Sequence, residues 1–273
     1  MTATPDRARP ARATARTPAW ATGRTTGRPV PHPAWPRQLQ LPGQAAAPEG
    51  PVDLATMFLM HHAFRRDLAA FAQAVPHTPL EDRAAWLALL RRWEVFAGAL
   101  HHHHRGEDTW LWPALLERAD RDEQAVLAAM EAEHGEIDPL LEASRRGLAL
   151  LASGRGRPDD RAALGVRLCA ARESLARHLA HEERDALPIL QRRLSAEEWR
   201  DLEVRFADGL RPRDLLDLVP WAVQGLPEDG LREFRRRAGW AHRVVWRLTR
   251  RRFERLDRRA FRHLPPGPQN ACR

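Results

Sequence analysis

Residues 101–113 read HHHHRGEDTWLWP, and residues 178–188 read HLAHEERDALP. The two stretches share one skeleton, His103-x3-Glu107-x5-Pro113 and His178-x3-Glu182-x5-Pro188, and each glutamate is followed by a second acid, Asp108 or Glu183. Upstream of each, Leu54, Met57, His61, Phe64 and Leu68 align without a gap on Leu127, Met130, His134, Ile137 and Leu141. Steps of three and four place each set on one face of a helix. The chain therefore contains two copies of a helix pair. The first helix of each copy offers one inward histidine, and the second offers a histidine and a glutamate one turn apart.

The apolar periodicity extends outward from these motifs. Leu89, Phe96, His103 and Trp110 recur every seven residues, with Trp93, Leu100, Glu107 and Ala114 beside them. This spacing predicts a second helix over about 82–116. A third helix is expected over 122–151, kinked by Pro139, and a fourth over 161–194. Its inward rows are Leu164, Ala171 and His178, and Leu168, Leu175, Glu182 and Ile189. The connections are short, so the predicted fold class is all-α: an antiparallel up-and-down four-helix bundle over residues 51–194. Asp53 is the expected N-cap of the first helix. Residues 1–50 are rich in Pro, Ala, Thr and Arg without apolar periodicity, and predict a disordered arm. Residues 195–273 predict a helical, Arg-rich C-terminal extension that opens with the capping box Ser195–Glu198 and is broken at Pro212, Pro220 and Pro227.

Four imidazoles and two carboxylates on inward faces need a reason. An unpaired buried carboxylate costs several kcal/mol, so six such groups in repeat-related positions point to a cation. His61, His103, Glu107, His134, His178 and Glu182 are the expected metal ligands. Imidazole suits iron, zinc and copper, and carboxylates add oxygen donors able to bridge two ions. Six protein ligands exceed the three of a catalytic zinc site and match two ions sharing carboxylates. His62, His101, His102, His104 and His181 lie off the inward rows and are read as flanking residues.

Residues 51–192 resemble the hemerythrin family, in its bacterial HHE cation-binding form. The resemblance is carried by MHHAFRRDL at 60–68, HHHHRGEDTWLWP at 101–113, MEAEHGEIDPLL at 130–141 and HLAHEERDALP at 178–188. It implies a non-heme centre of two iron ions that meets oxygen, nitric oxide or peroxide. By position it selects His61, His103, Glu107, His134 and His178 as ligands. The oxygen carriers of the family place the fourth-helix carboxylate at the position of Glu183, whereas the internal repeat selects Glu182, which is preferred here. They also carry a second third-helix histidine where this chain has Asp138, either an oxygen ligand or a polar lining residue. That exchange argues against reversible oxygen carriage. The chain has no tyrosine, so one common redox relay is absent.

Composition bounds the remaining classes. All basic residues are arginine, and the net charge is +8. Residues 1–50 carry +5, residues 231–263 carry +10, and residues 51–230 carry −8. The basic tail is expected to dock on this acidic body or mediate self-association; nucleic acid or an anionic membrane is a less favoured partner. Two cysteines, no apolar span and no secretory h-region indicate a cytoplasmic protein. The leading function is a di-iron protein that binds or responds to a small diatomic ligand, peroxide or iron level. An enzyme scavenging peroxide or nitric oxide, and a metal-switched binding module acting through the basic helix, are the alternatives.

Overall fold

The computed structural model describes residues 35–265. Most of the expected disordered arm, up to residue 34, lies outside them. The rest of that arm departs from the expectation. Leu39 and Leu41 are buried in the core. Gln38 donates to the Val52 carbonyl at 2.8 Å and accepts from the Leu54 amide at 3.2 Å. Apolar side chains at these two positions anchor a segment whose overall composition reads as solvated. The order extends upstream of Asp53, which accepts from the Ala55 amide but sits one residue before the cap position at Leu54.

Four long helical segments form the bundle. Helix α1 spans Ala55–His77. Helix α2, Arg83–Gly106, is capped by Asp82, whose side chain accepts from the Ala85 amide. It runs through a π-helical turn, Glu107–Leu111, into α3, Trp112–Leu116. Helix α4, Arg121–Ala152, opens on an Asp120/Glu123 capping box and continues as helix through Pro139. Helix α5, Pro158–His181, passes through a second π-helical turn, Glu182–Ala186, into α6, Leu187–Arg193. Helix α5 packs on α1 and α4, and α4 on α2, whereas α1 and α2 touch only slightly.

The paired π turns have a common cause. Pro113 and Pro188 lack the N–H that would continue the α ladder, and a proline ring crowds the carbonyl four residues back. The ladder widens by one residue instead: the Trp112 amide donates to the Glu107 carbonyl, and the Leu187 amide to that of Glu182. The extra residue shifts the inward register. Beyond Glu107 the core takes Leu111 and Leu115, not the expected Trp110 and Ala114. Beyond Glu182 it takes Ala186, while Asp185 faces solvent.

The C-terminal extension closes the open side of the bundle. It comprises α7, Ala196–Phe206, opened by the Ser195/Glu198 capping box, then α8, Leu215–Val223, α9, Glu228–Arg237, and α10, Trp240–Ala260. Trp221, Phe253 and Ala260 join the core formed by Phe64, Phe71 and Trp93. Beneath them lies a buried charge network. Arg92 pairs with Asp67 at 3.0 Å and with Asp257 at 3.1 Å, and Trp221 donates to Asp67 at 2.8 Å. Burial alone would raise the Asp67 pKa, but Arg66, Arg92 and Trp221 outweigh it and hold the carboxyl below its usual range. The far face of α10 is solvated, with Trp240 and Leu248 each 75% exposed. No helix among the described residues is long and apolar enough to cross a membrane.

Candidate metal centre

Each bundle helix crosses from one apolar cluster to another at its polar residue. Met57 and Phe58 belong to one cluster and Phe64 to the second, with His61 between them. Leu100 and Leu111 flank His103 and Glu107; Met130 and Ile137 flank His134; Leu179 and Ala186 flank Glu182. Antiparallel packing brings these crossings to one level. The result is a polar layer sealed above and below by apolar side chains.

All six residues singled out in the sequence meet in this layer. Donor atoms of His61, His103, Glu107 and Glu182 lie within 4.8 Å of one another. A second set, His104, His134 and His178, meets the same limit. The carboxylates join the sets. Glu107 Oε1 is 3.2 Å from His103 Nε2 and its Oε2 is 3.6 Å from His134 Nε2. Glu182 Oε2 lies 3.2 Å from His61 Nε2 and 3.9 Å from His178 Nε2.

Three of these imidazoles are oriented from behind by an acid. His61 Nδ1 donates to Glu183 at 2.9 Å, His134 Nδ1 to Asp108 at 2.8 Å, and His178 Nδ1 to Glu133 at 2.9 Å. Glu183 is itself held by Arg65, at 2.7 and 2.9 Å, and by the Ala45 amide. Such carboxylate–histidine pairs fix the ring and present Nε2 to an ion. The repeat explains two of them: the acid after each helix-pair glutamate reaches the lone histidine of the other copy. Glu183, an alternative ligand on family resemblance, thus stands behind His61. Glu133 escaped the sequence reading, because its repeat-equivalent is Met60 and no pattern marks it.

His104 was also missed. It is fully buried, stacked on His134 with centroids 3.9 Å apart and planes 10° from parallel. The expectation that it lies off the inward rows is wrong because α2 packs closely on α4, which buries a wider arc than a single seam. The other flanking histidines do lie outside. His101 is exposed, and His102 is half-buried with Nε2 2.6 Å from the Phe206 carbonyl oxygen. His62 is half-buried on the Pro42 carbonyl, and His181 pairs with Glu133 at 2.8 Å. Asp138 is half-exposed, its Oδ1 3.9 Å from His104 Nδ1.

The electrostatics fit a cation. Burial opposes charge on His61, yet Glu182 and Glu183 outweigh it and hold its pKa up at about 9. Burial, then the neighbouring Glu182 and Asp108, push Glu107 well above the usual carboxylate range. Burial also lowers His103 and His178, and takes His104 down to about 4, so these imidazoles are neutral donors at pH 7. The layer holds buried donor atoms without hydrogen-bond partners: Nε2 of His61 and His103, both nitrogens of His104, and all four carboxylate oxygens of Glu107 and Glu182. Native interiors seldom leave such atoms unsatisfied. Two donors at right angles on one first-row ion, each about 2.1 Å from it, lie about 3 Å apart, close to the 3.2 Å contacts here. The residues present fit a bound metal.

A family model for the hemerythrin HHE cation binding domain matches residues 52–190, about half of the chain and all six of the singled-out side chains. Searches of curated proteins and of solved structures return no significant match. With an all-helical bundle and a buried His/Glu layer at the matched positions, the chain belongs to the hemerythrin HHE cation-binding family.

Proposed function

We propose that the polar layer holds two iron ions and that this centre meets a small diatomic ligand, oxygen or nitric oxide, or peroxide. The observation that carries the reading is the presence of two adjoining donor sets linked by two carboxylates. Mixed imidazole and carboxylate donors suit iron, and two ions are needed to use this many donors. Bound iron would supply a redox-active Lewis acid. His61, His103, Glu107, His134, His178 and Glu182 are the proposed ligands, with Glu183, Asp108 and Glu133 setting ring orientation. Phe64 packs its ring 5.2 Å from His103 and is backed by Trp221 at 5.4 Å. These rings cover the His103 side of the layer with apolar surface.

Titrating reduced, iron-loaded protein anaerobically with nitric oxide, oxygen or peroxide tests the reading. A saturable spectral change at one equivalent per iron pair is expected. No change with any of the three would overturn ligand binding. Sustained peroxide consumption would move the protein into the class of scavenging enzymes.

A further inference from the structure

We propose that His104 is a further ligand, serving the ion held by His134 and His178, so that the two halves of the centre are unequal. This rests on the two-iron reading above. The internal repeat pairs His103 with His178 and Glu107 with Glu182, which places Leu179 opposite His104. Leu179 is fully buried in the apolar core. An imidazole in one half therefore faces no counterpart in the other, and a centre built from repeated residues alone would be symmetric.

Three observations point His104 at the metal. Neither ring nitrogen has a hydrogen-bond partner although the residue is buried. A purely structural histidine normally satisfies at least one nitrogen. Its ring stacks on His134 and stands edge-on to His178, with centroids 5.4 Å apart and planes at 82°, and the donor atoms of all three lie within 4.8 Å of one another. Behind Nδ1, Asp138 Oδ1 stands at 3.9 Å. His61, His134 and His178 each have a carboxylate in that position. His104 thus has the same acid-behind-ring arrangement, which a small ring shift would tighten into a hydrogen bond and which would aim Nε2 inward.

Ligand counting then separates the ions. One side draws on His61 and His103 with the carboxylates, and the other on three imidazoles with shared carboxylate oxygens. Iron-loaded wild type, His104→Leu and His102→Ala, compared by elemental analysis and Mössbauer spectroscopy, test this. Leucine keeps apolar volume and removes the donor. Wild type and His102→Ala should each hold two irons in two distinct environments. His104→Leu should alter or lose one environment only, and a chelator should strip that iron at least 10-fold faster. Circular dichroism of the metal-free protein checks folding, and His104→Gln serves if His104→Leu is unfolded. Two irons in the variant with an unchanged spectrum would overturn the role of His104 alone. A wild type that does not take up two irons would overturn the parent reading and this inference with it.

Discussion

Replacing Glu107 by methionine should stabilise the metal-free protein and cripple the metal-bound one. Both Glu107 oxygens are buried without hydrogen-bond partners. Burial and the neighbouring Glu182 and Asp108 push its pKa well above the usual carboxylate range, so without a metal its charge is opposed by its surroundings rather than balanced by a partner. Glu182 would be a poorer choice, because its charge balances His61. Methionine has similar length, no strong polar atom and enough flexibility to fill the space. Removing a buried, unsatisfied group recovers about 1–3 kcal/mol. At about 2–4 °C per kcal/mol for a chain of this size, the metal-free melting temperature should rise by about 2–12 °C. Metal reverses the order. A ligand that binds only the folded state adds about 2.7 kcal/mol at 100 times its Kd, and the variant should lose most of that gain. Calorimetric melts of both proteins, stripped and iron-loaded, give four numbers. A metal-free variant less stable than wild type by more than about 1 kcal/mol would refute the reasoning, because Glu107 would then be structural.

Other outcomes follow from the same contacts. Asp108→Asn should weaken metal binding by about 10–100-fold with little change in metal-free stability, since Asp108 orients the His134 ring by accepting from its Nδ1; competition with a chelator measures it, and unchanged affinity would remove Asp108 from the site. Arg92→Leu should cost about 1–3 kcal/mol, because Asp67 and Asp257 each lose a charged hydrogen-bond partner while Arg66 and Trp221 still hold Asp67; urea melts should show it while iron content stays the same. Asp67 also sets a pH dependence. Its folded pKa is depressed, so its contribution is complete above the unfolded value of about 3.9 and is lost as pH falls through the lower folded value. Asp67→Asn should flatten the stability profile below pH 4, and identical profiles would refute the assignment.

How much of this was legible in the sequence depended on whether a feature repeats. His61 and His134, or Glu107 and Glu182, stand out because the ligand spacing and the apolar period fall on the same helix face twice. Even the acids behind His61 and His134 left a trace, since Asp108 and Glu183 each follow a repeated glutamate. The π turns were harder to see. Their signal is Pro113 and Pro188 at one fixed distance from the glutamates, together with an inward row that would otherwise run onto Asp185. His104 and Glu133 have no repeat partners of their own type, so periodicity passes over them, and it leaves Asp138 open between an oxygen ligand and a polar lining residue. The charge balance predicts docking of a basic tail on an acidic body, whereas the contacts that seat α10 on the bundle are apolar at Phe253 and pair the tail acid Asp257 with Arg92 of the body. Arg92 and Asp67 were invisible as its anchors, because a charged residue on a helix normally reads as solvated.

The central claim is that the His/Glu layer is a two-iron site. Elemental analysis of iron-reconstituted protein, with an optical spectrum of the same sample, tests it most directly. Two irons per chain with charge-transfer bands in the near ultraviolet are the predicted result, with the iron lost in His103→Ala and His178→Ala and retained in His102→Ala. A single tightly held zinc, or equal metal loss in all three variants, would contradict the account.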